Sequence, residues 1–137
     1  MSGQIFIDTL FVVALVNPRD QYHHIAKQFS EQLENEQFLT TEAILLEVGN
    51  ALSRNYRSKA IEIIEYFYSS PEVEIVSLTP ELFRLAFALY KKHQDKEWGL
   101  VDCISFIVMQ EKKSSKALTF DRHFSQAGFQ SLMRDNG

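Results

Sequence analysis

The chain has 137 residues, of which 45% are hydrophobic and 23% charged, with a net charge of -4 and one cysteine. That length suits a single domain with its own core, and the balance excludes a disordered or fibrous chain. The net charge argues against a broad phosphate-gripping surface, since non-specific nucleic-acid binding rests on Lys and Arg; a small local nucleic-acid site stays open.

The N-terminal segment lacks a basic region, and the longest wholly apolar run, Leu10 to Val16, is too short to span a bilayer. A soluble, cytoplasmic protein without membrane contact is expected. The segment "QIFID" predicts a strand over 4–8 that runs from Ile5, Phe6 and Ile7 straight into Asp8. A helix over 9–16 follows, stopped by Asn17-Pro18, and then one over 21–35 with Asp20 as its N-cap. A strand over 37–40 leads to a helix over 41–55, capped by Thr40 or Thr41. The next helix, 57–69, ends at Ser70-Pro71; a strand over 73–77 precedes Thr79-Pro80-Glu81, a good start for a helix over 80–93.

The segment Gly99 to Met109 is apolar nearly all round, which predicts a buried helix, over 101–112, whose apolar run only Asp102 and Ser105 interrupt, neighbours on one face. Cys103, among Ile104, Phe106 and Ile107, reads as a small core hydrophobe. A strand over 116–120 again runs into a carboxylate, Asp121, and a short strand over 128–132 follows. Short apolar runs alternating with helices predict an α/β fold, a mostly parallel sheet of about five strands flanked by helices.

Asp8 suits an N-cap, and Asp121 suits the start of a short turn before His123 and Phe124, but both also stand where ligands bind in open α/β sheets, beyond the carboxyl ends of strands. Glu47 lies at the edge of the stripe formed by Ile44, Val48, Ala51 and Leu52, partly withdrawn from water. Asp102, in a buried helix, finds water only if its turn opens on a cleft. Four acids held together repel one another unless a cation neutralises them, and Mg2+ or Mn2+ favours oxygen ligands. The histidines, at 23, 24, 93 and 123, form no H-x-x-x-H pair, and there is no second cysteine, so no zinc set is visible.

Four segments, "FIDTLFVVALVNPRDQYHHIA", "TTEAILLEVGNAL", "WGLVDCISFIVM" and "ALTFDRHFSQAGF", resemble in order and spacing the PIN-domain family, and within it the VapC type of bacterial toxin ribonuclease. The resemblance covers nearly the whole chain. It implies a three-layer sandwich around a parallel sheet, and metal-dependent hydrolysis of RNA phosphodiester bonds. It makes Asp8, Glu47, Asp102 and Asp121 the acidic quartet that holds Mg2+ or Mn2+, with Thr9, Thr119, Ser105 and Arg122 as supporting or substrate-contacting candidates. Lys96 and Asp95, in the "DKEWG" loop, stand near the same rim.

The toxin type implies RNA as substrate, a small antitoxin as partner and a homodimer. An apolar band on the helix over 57–69, from Ala60, Ile61, Ile63, Ile64, Phe67 and Tyr68, with Tyr66 beyond its edge, suits a homodimer face, an antitoxin groove or ordinary packing. The rival reading is a PIN-fold partner-binding module with weak or no nuclease activity. A receiver domain wants adjacent acids after its first strand, and a haloacid-dehalogenase-type phosphatase wants D-x-D; Asp8-Thr9-Leu10 supplies neither. Five scattered glycines make no P-loop or dinucleotide fingerprint.

Overall fold

A computed structural model describes residues 3–135. Five strands form one all-parallel sheet: β1 (Ile5–Ile7), β2 (Phe38–Thr41), β3 (Val73–Val76), β4 (Lys116–Leu118) and β5 (Gln130–Ser131), in spatial order β3-β2-β1-β4-β5. The helices of the described residues are α1 (Thr9–Val16), α2 (His23–Gln32), α3 (Glu42–Leu52), α4 (Arg57–Ser69), α5 (Pro80–Lys92), α6 (Leu100–Lys112), α7 (Arg122–Gln126) and α8 (Leu132–Asp135).

All three residues of β1 are buried, so helices cover both faces of the central strand, as parallel sheets require. The core runs from Phe6, Leu39 and Leu118 in the sheet to Val12, Ile44, Val48, Phe106, Met109 and Phe124 on the helices. Cys103 is buried within it, and burial pushes its thiol up to about 11, consistent with an inert filler. No helix among the described residues is long and apolar enough to cross a membrane.

Local chemistry accounts for the helix starts. Thr41 accepts from Ile44 N–H at 3.1 Å to cap α3, and Thr79 does the same for Leu82 at 3.1 Å, with Pro80 opening α5. Asp20 differs from expectation. Its Oδ1 accepts from Tyr22 N–H at 2.8 Å and its carbonyl from His23 N–H at 3.0 Å, so it holds the turn before α2, whose N-cap is Tyr22.

The last two strands are shorter than the sequence suggests. β4 stops at Leu118 because the Thr119 carbonyl accepts from Met133 N–H at 3.0 Å, outside the sheet ladder. β5 has two residues, because Gly128 turns the chain at φ 97° and α8 begins at Leu132. Neither α7 nor α8 is long enough to show helical periodicity.

Candidate active site

The sheet order reverses between β1 and β4: one run leads from β1 to β2 and β3, the other from β4 to β5. The crevice beyond the carboxyl ends of strands at such a reversal is where open α/β sheets bind ligands. Asp8 follows β1 directly, and Asp121 comes three residues after β4. Glu47 reaches in from α3, which follows β2, and Asp102 stands in the first turn of α6. These four acids, with Thr9 and Asn50, line one cleft of about 480 Å3.

One oxygen of every acid is held by the protein. Asp8 occupies the N-cap position of α1 but makes no side-chain cap; its Oδ2 accepts instead from the Thr119 hydroxyl at 2.8 Å. The same Thr119 oxygen accepts from Asp121 N–H at 3.1 Å, tying the two strand-end acids together. Thr9 donates to Glu47 Oε1 at 2.5 Å. Asp102, at the third position of α6, accepts from Gly99 N–H at 3.0 Å through Oδ2, and the same oxygen stands 2.9 Å from His123 Nδ1. Asp121 Oδ1 accepts from His123 N–H at 2.9 Å and so caps α7.

The aromatic core brings α6 and α7 together. Trp98 donates its indole N–H to Gln126 at 3.0 Å and meets Phe106 edge-on at 5.0 Å, and Phe106 in turn meets Phe124 edge-on at 5.1 Å. The start of α6 is thereby locked against α7, which places Asp102 beside His123. Tyr22 stacks on Phe120 at 3.8 Å and steadies the loop between Thr119 and Asp121 from the other side.

Electrostatics mark the cleft as strained. Asp8, only 6% exposed, has its carboxyl pushed up from 3.8 to about 7. Burial is the main cause; the Thr119 hydrogen bond opposes it, and the negative charges of Asp102 and Asp121 add to it. Burial also raises Glu47, against its Thr9 bond, and raises Asp102, against its bonds from Gly99 and His123. Such a set fits a divalent cation: carboxylate oxygens are hard donors, and a cation removes the repulsion that lifts these groups. Asp102, Asp121 and His123 each offer a ligand atom, all within 4.8 Å of one another.

The structure brings Thr9 and Thr119 against the quartet, but not Ser105. That side chain is fully buried, and its hydroxyl turns back to the Val101 carbonyl at 3.0 Å. Arg122 lies on the rim, exposed and paired with Glu97 at 3.2 Å; Lys96 pairs with Asp95 at 3.5 Å, and Asp95, Lys96 and Arg122 line a neighbouring depression with His123. Ala51 is exposed along the cleft rather than part of the α3 core stripe. The sequence reading missed two polar residues. Asn50 lies three residues after Glu47, the helical spacing that could have found it; His123 carried no signal beyond standing two residues after Asp121.

Strand reversal, acid cleft and hydroxyl struts define a parallel α/β protein with a carboxylate-lined site. The chain belongs to the PIN domain family, whose pattern its residues 5–130 match. It is similar to "23S rRNA-specific endonuclease VapC20" of Mycobacterium tuberculosis, at 32% identity over 125 residues, 91% of this chain and 95% of that protein, in strains CDC 1551 / Oshkosh and H37Rv alike. The crystal structure of the M. tuberculosis VapC20, described as a "Sarcin-Ricin loop cleaving toxin", superposes with a TM-score of 0.82 at 31% identity, over 92% of this chain and 96% of that one.

Proposed function

We propose that this chain, as a single PIN-like domain, is a divalent-metal-dependent endoribonuclease acting in the cytoplasm as the toxin of a type II toxin-antitoxin pair. The observation that carries the reading is the convergence of Asp8, Glu47, Asp102 and Asp121 on one cleft at the strand reversal. Those four carboxylates would hold Mg2+ or Mn2+, which would acidify a water for attack and neutralise charge at the scissile phosphate.

The protein's own residues prepare the site. Thr119 holds Asp8 and, through the Asp121 backbone, fixes the spacing of the two strand ends; Thr9 holds Glu47. Arg122, exposed and paired with Glu97, suits contact with a substrate phosphate, since giving up such a surface pair costs little. Lys96, on the same rim, has the same role. The relative's 23S rRNA specificity supports a structured ribosomal RNA loop as the target.

Two exposed apolar faces support partner contacts. On α4, Ala60 and Phe67 are buried while Ile61, Tyr66 and Tyr68 remain more than half exposed. On α5, Phe83, Phe87 and Tyr90 stack in a row along the surface. Large exposed apolar surfaces mark interaction sites, and a homodimer and a small antitoxin are the partners that suit them.

The test is cleavage of an rRNA hairpin carrying the sarcin-ricin loop. Cutting in Mg2+ or Mn2+, abolished by EDTA and restored by added metal, is expected. Equal cutting in excess EDTA, with contaminating nuclease excluded, would overturn the reading.

A further inference from the structure

We propose that His123 is a positioning residue that sets the spacing of Asp102 and Asp121 for the ion, taking hold of each acid by one oxygen and leaving it the other as ligand. The inference rests on the reading of the cleft as a metal centre. Asp102 and Asp121 arrive on separate elements, the first turn of α6 and the loop after β4, and their like charges push them apart. His123 binds both. Its ring Nδ1 stands 2.9 Å from Asp102 Oδ2 and 3.5 Å from Asp121 Oδ1, while its backbone N–H donates to that same Asp121 oxygen at 2.9 Å.

The ring meets the acids on the side where the protein already grips them. Asp102 Oδ2 also accepts from Gly99 N–H. An oxygen serving as acceptor there needs a donor opposite, so Nδ1 carries the proton and keeps no lone pair for a cation. Nδ1 is therefore a strut behind the carboxylates; Nε2 keeps its lone pair, and a strut role requires it to stay off the cation. The His123 side chain is 17% exposed, slightly less than the 20% of Asp102, and Phe124, the next residue, is fully buried. A ring anchored in this way holds a fixed distance where two free carboxylates would swing apart. Groups that orient metal ligands in this manner typically contribute tenfold to a hundredfold in affinity.

The test compares His123→Ala, His123→Asn and His123→Gln with the wild type, reading Mn2+ affinity by titration calorimetry and the Mn2+ environment by pulsed electron paramagnetic resonance. An Asn amide nitrogen falls near Nδ1 and a Gln nitrogen near Nε2. Mn2+ binding is therefore expected to weaken about tenfold or more in the Ala and Gln variants and to stay near wild type in the Asn variant. The wild-type spectrum should show no coupling from a directly bound imidazole nitrogen. Wild-type affinity in both the Ala and Gln variants overturns the proposal, as does a bound-nitrogen coupling that vanishes in His123→Ala. Should the Ala variant fail to fold, the Asn and Gln variants decide alone: equal affinities overturn the proposal. Wild-type protein that binds no Mn2+ in a manner sensitive to Asp8→Asn brings down the metal-centre reading and this inference with it, an outcome distinct from failure at His123 alone.

Discussion

The cleft beyond β1 and β4 is lined by four carboxylates, whereas the groove between α2 and α4, about 310 Å3 and more enclosed, is walled largely by Phe11, Leu15, Ile63, Tyr66 and Phe67. The groove is the more enclosed cavity, and its walls are mostly apolar side chains of α1 and α4. The open cleft gathers carboxylates whose burial and mutual repulsion work against the fold unless a positive charge offsets them. Enclosure marks where something apolar can rest. An arrangement that works against its own stability marks where chemistry is done.

The sharpest way to break this contrast is to disarm each region in turn. Asp8→Asn and Asp121→Asn are each expected to lower RNA cleavage by about two orders of magnitude or more, because each removes charge where the ion must be held. Tyr66→Ala, in the groove wall, is expected to leave cleavage unchanged while weakening any partner that docks there. Comparable losses of cleavage from both regions, measured on one RNA substrate, would erase the distinction.

A second prediction concerns stability without metal. The Asp8 carboxyl titrates near 3.8 when unfolded and about 7 when folded, so between those values the folded state holds more protons. Its contribution is therefore most favourable below about pH 4 and is lost as pH rises through about 7, an effect of up to about 4 kcal/mol. In EDTA, Asp8→Asn should be more stable than wild type at pH 8, and the difference should shrink toward pH 5. Asp102→Asn should act in the same direction and more weakly, because bonds from Gly99 and His123 offset part of its burial. Thermal melts in EDTA across this range check the sign; variants less stable than wild type at pH 8 would make these acids structural.

The smallest expected effect is at Asp20, a carboxylate outside both regions. Asp20→Asn keeps the acceptor that holds Tyr22 N–H, so stability should change by less than about 0.5 kcal/mol and cleavage should not change. A large loss of cleavage there would mean that the acid cleft has been drawn around the wrong residues.

Much of the acid cleft was legible in the sequence because an apolar strand pattern running into a carboxylate is a physical oddity; Asp8 does follow β1 directly, whereas Asp121 comes three residues past the end of β4. The helices α1 and α4 fall within the expected bounds for a similar reason: Asn17-Pro18 and Ser70-Pro71 stop them by covalent geometry. Other features depend on tertiary contacts. His123 reaches Asp102 only because Trp98, Phe106 and Phe124 lock α6 to α7. Ser105, one helical turn from Asp102, belongs by spacing to the same face, yet its hydroxyl turns to its own backbone. The aromatic row Phe83, Phe87 and Tyr90 follows i, i+4, i+7 spacing along one face of α5, and only the fold shows that each stays more than 40% exposed.

The most direct measurement is the anomalous difference density of crystals soaked in Mn2+. The account predicts a peak in the cleft about 2.1–2.3 Å from carboxylate oxygens of at least Asp8 and Asp121, absent from Asp8→Asn crystals treated alike. A protein that cleaves RNA in Mn2+ yet shows its anomalous peaks only outside this cleft would contradict it.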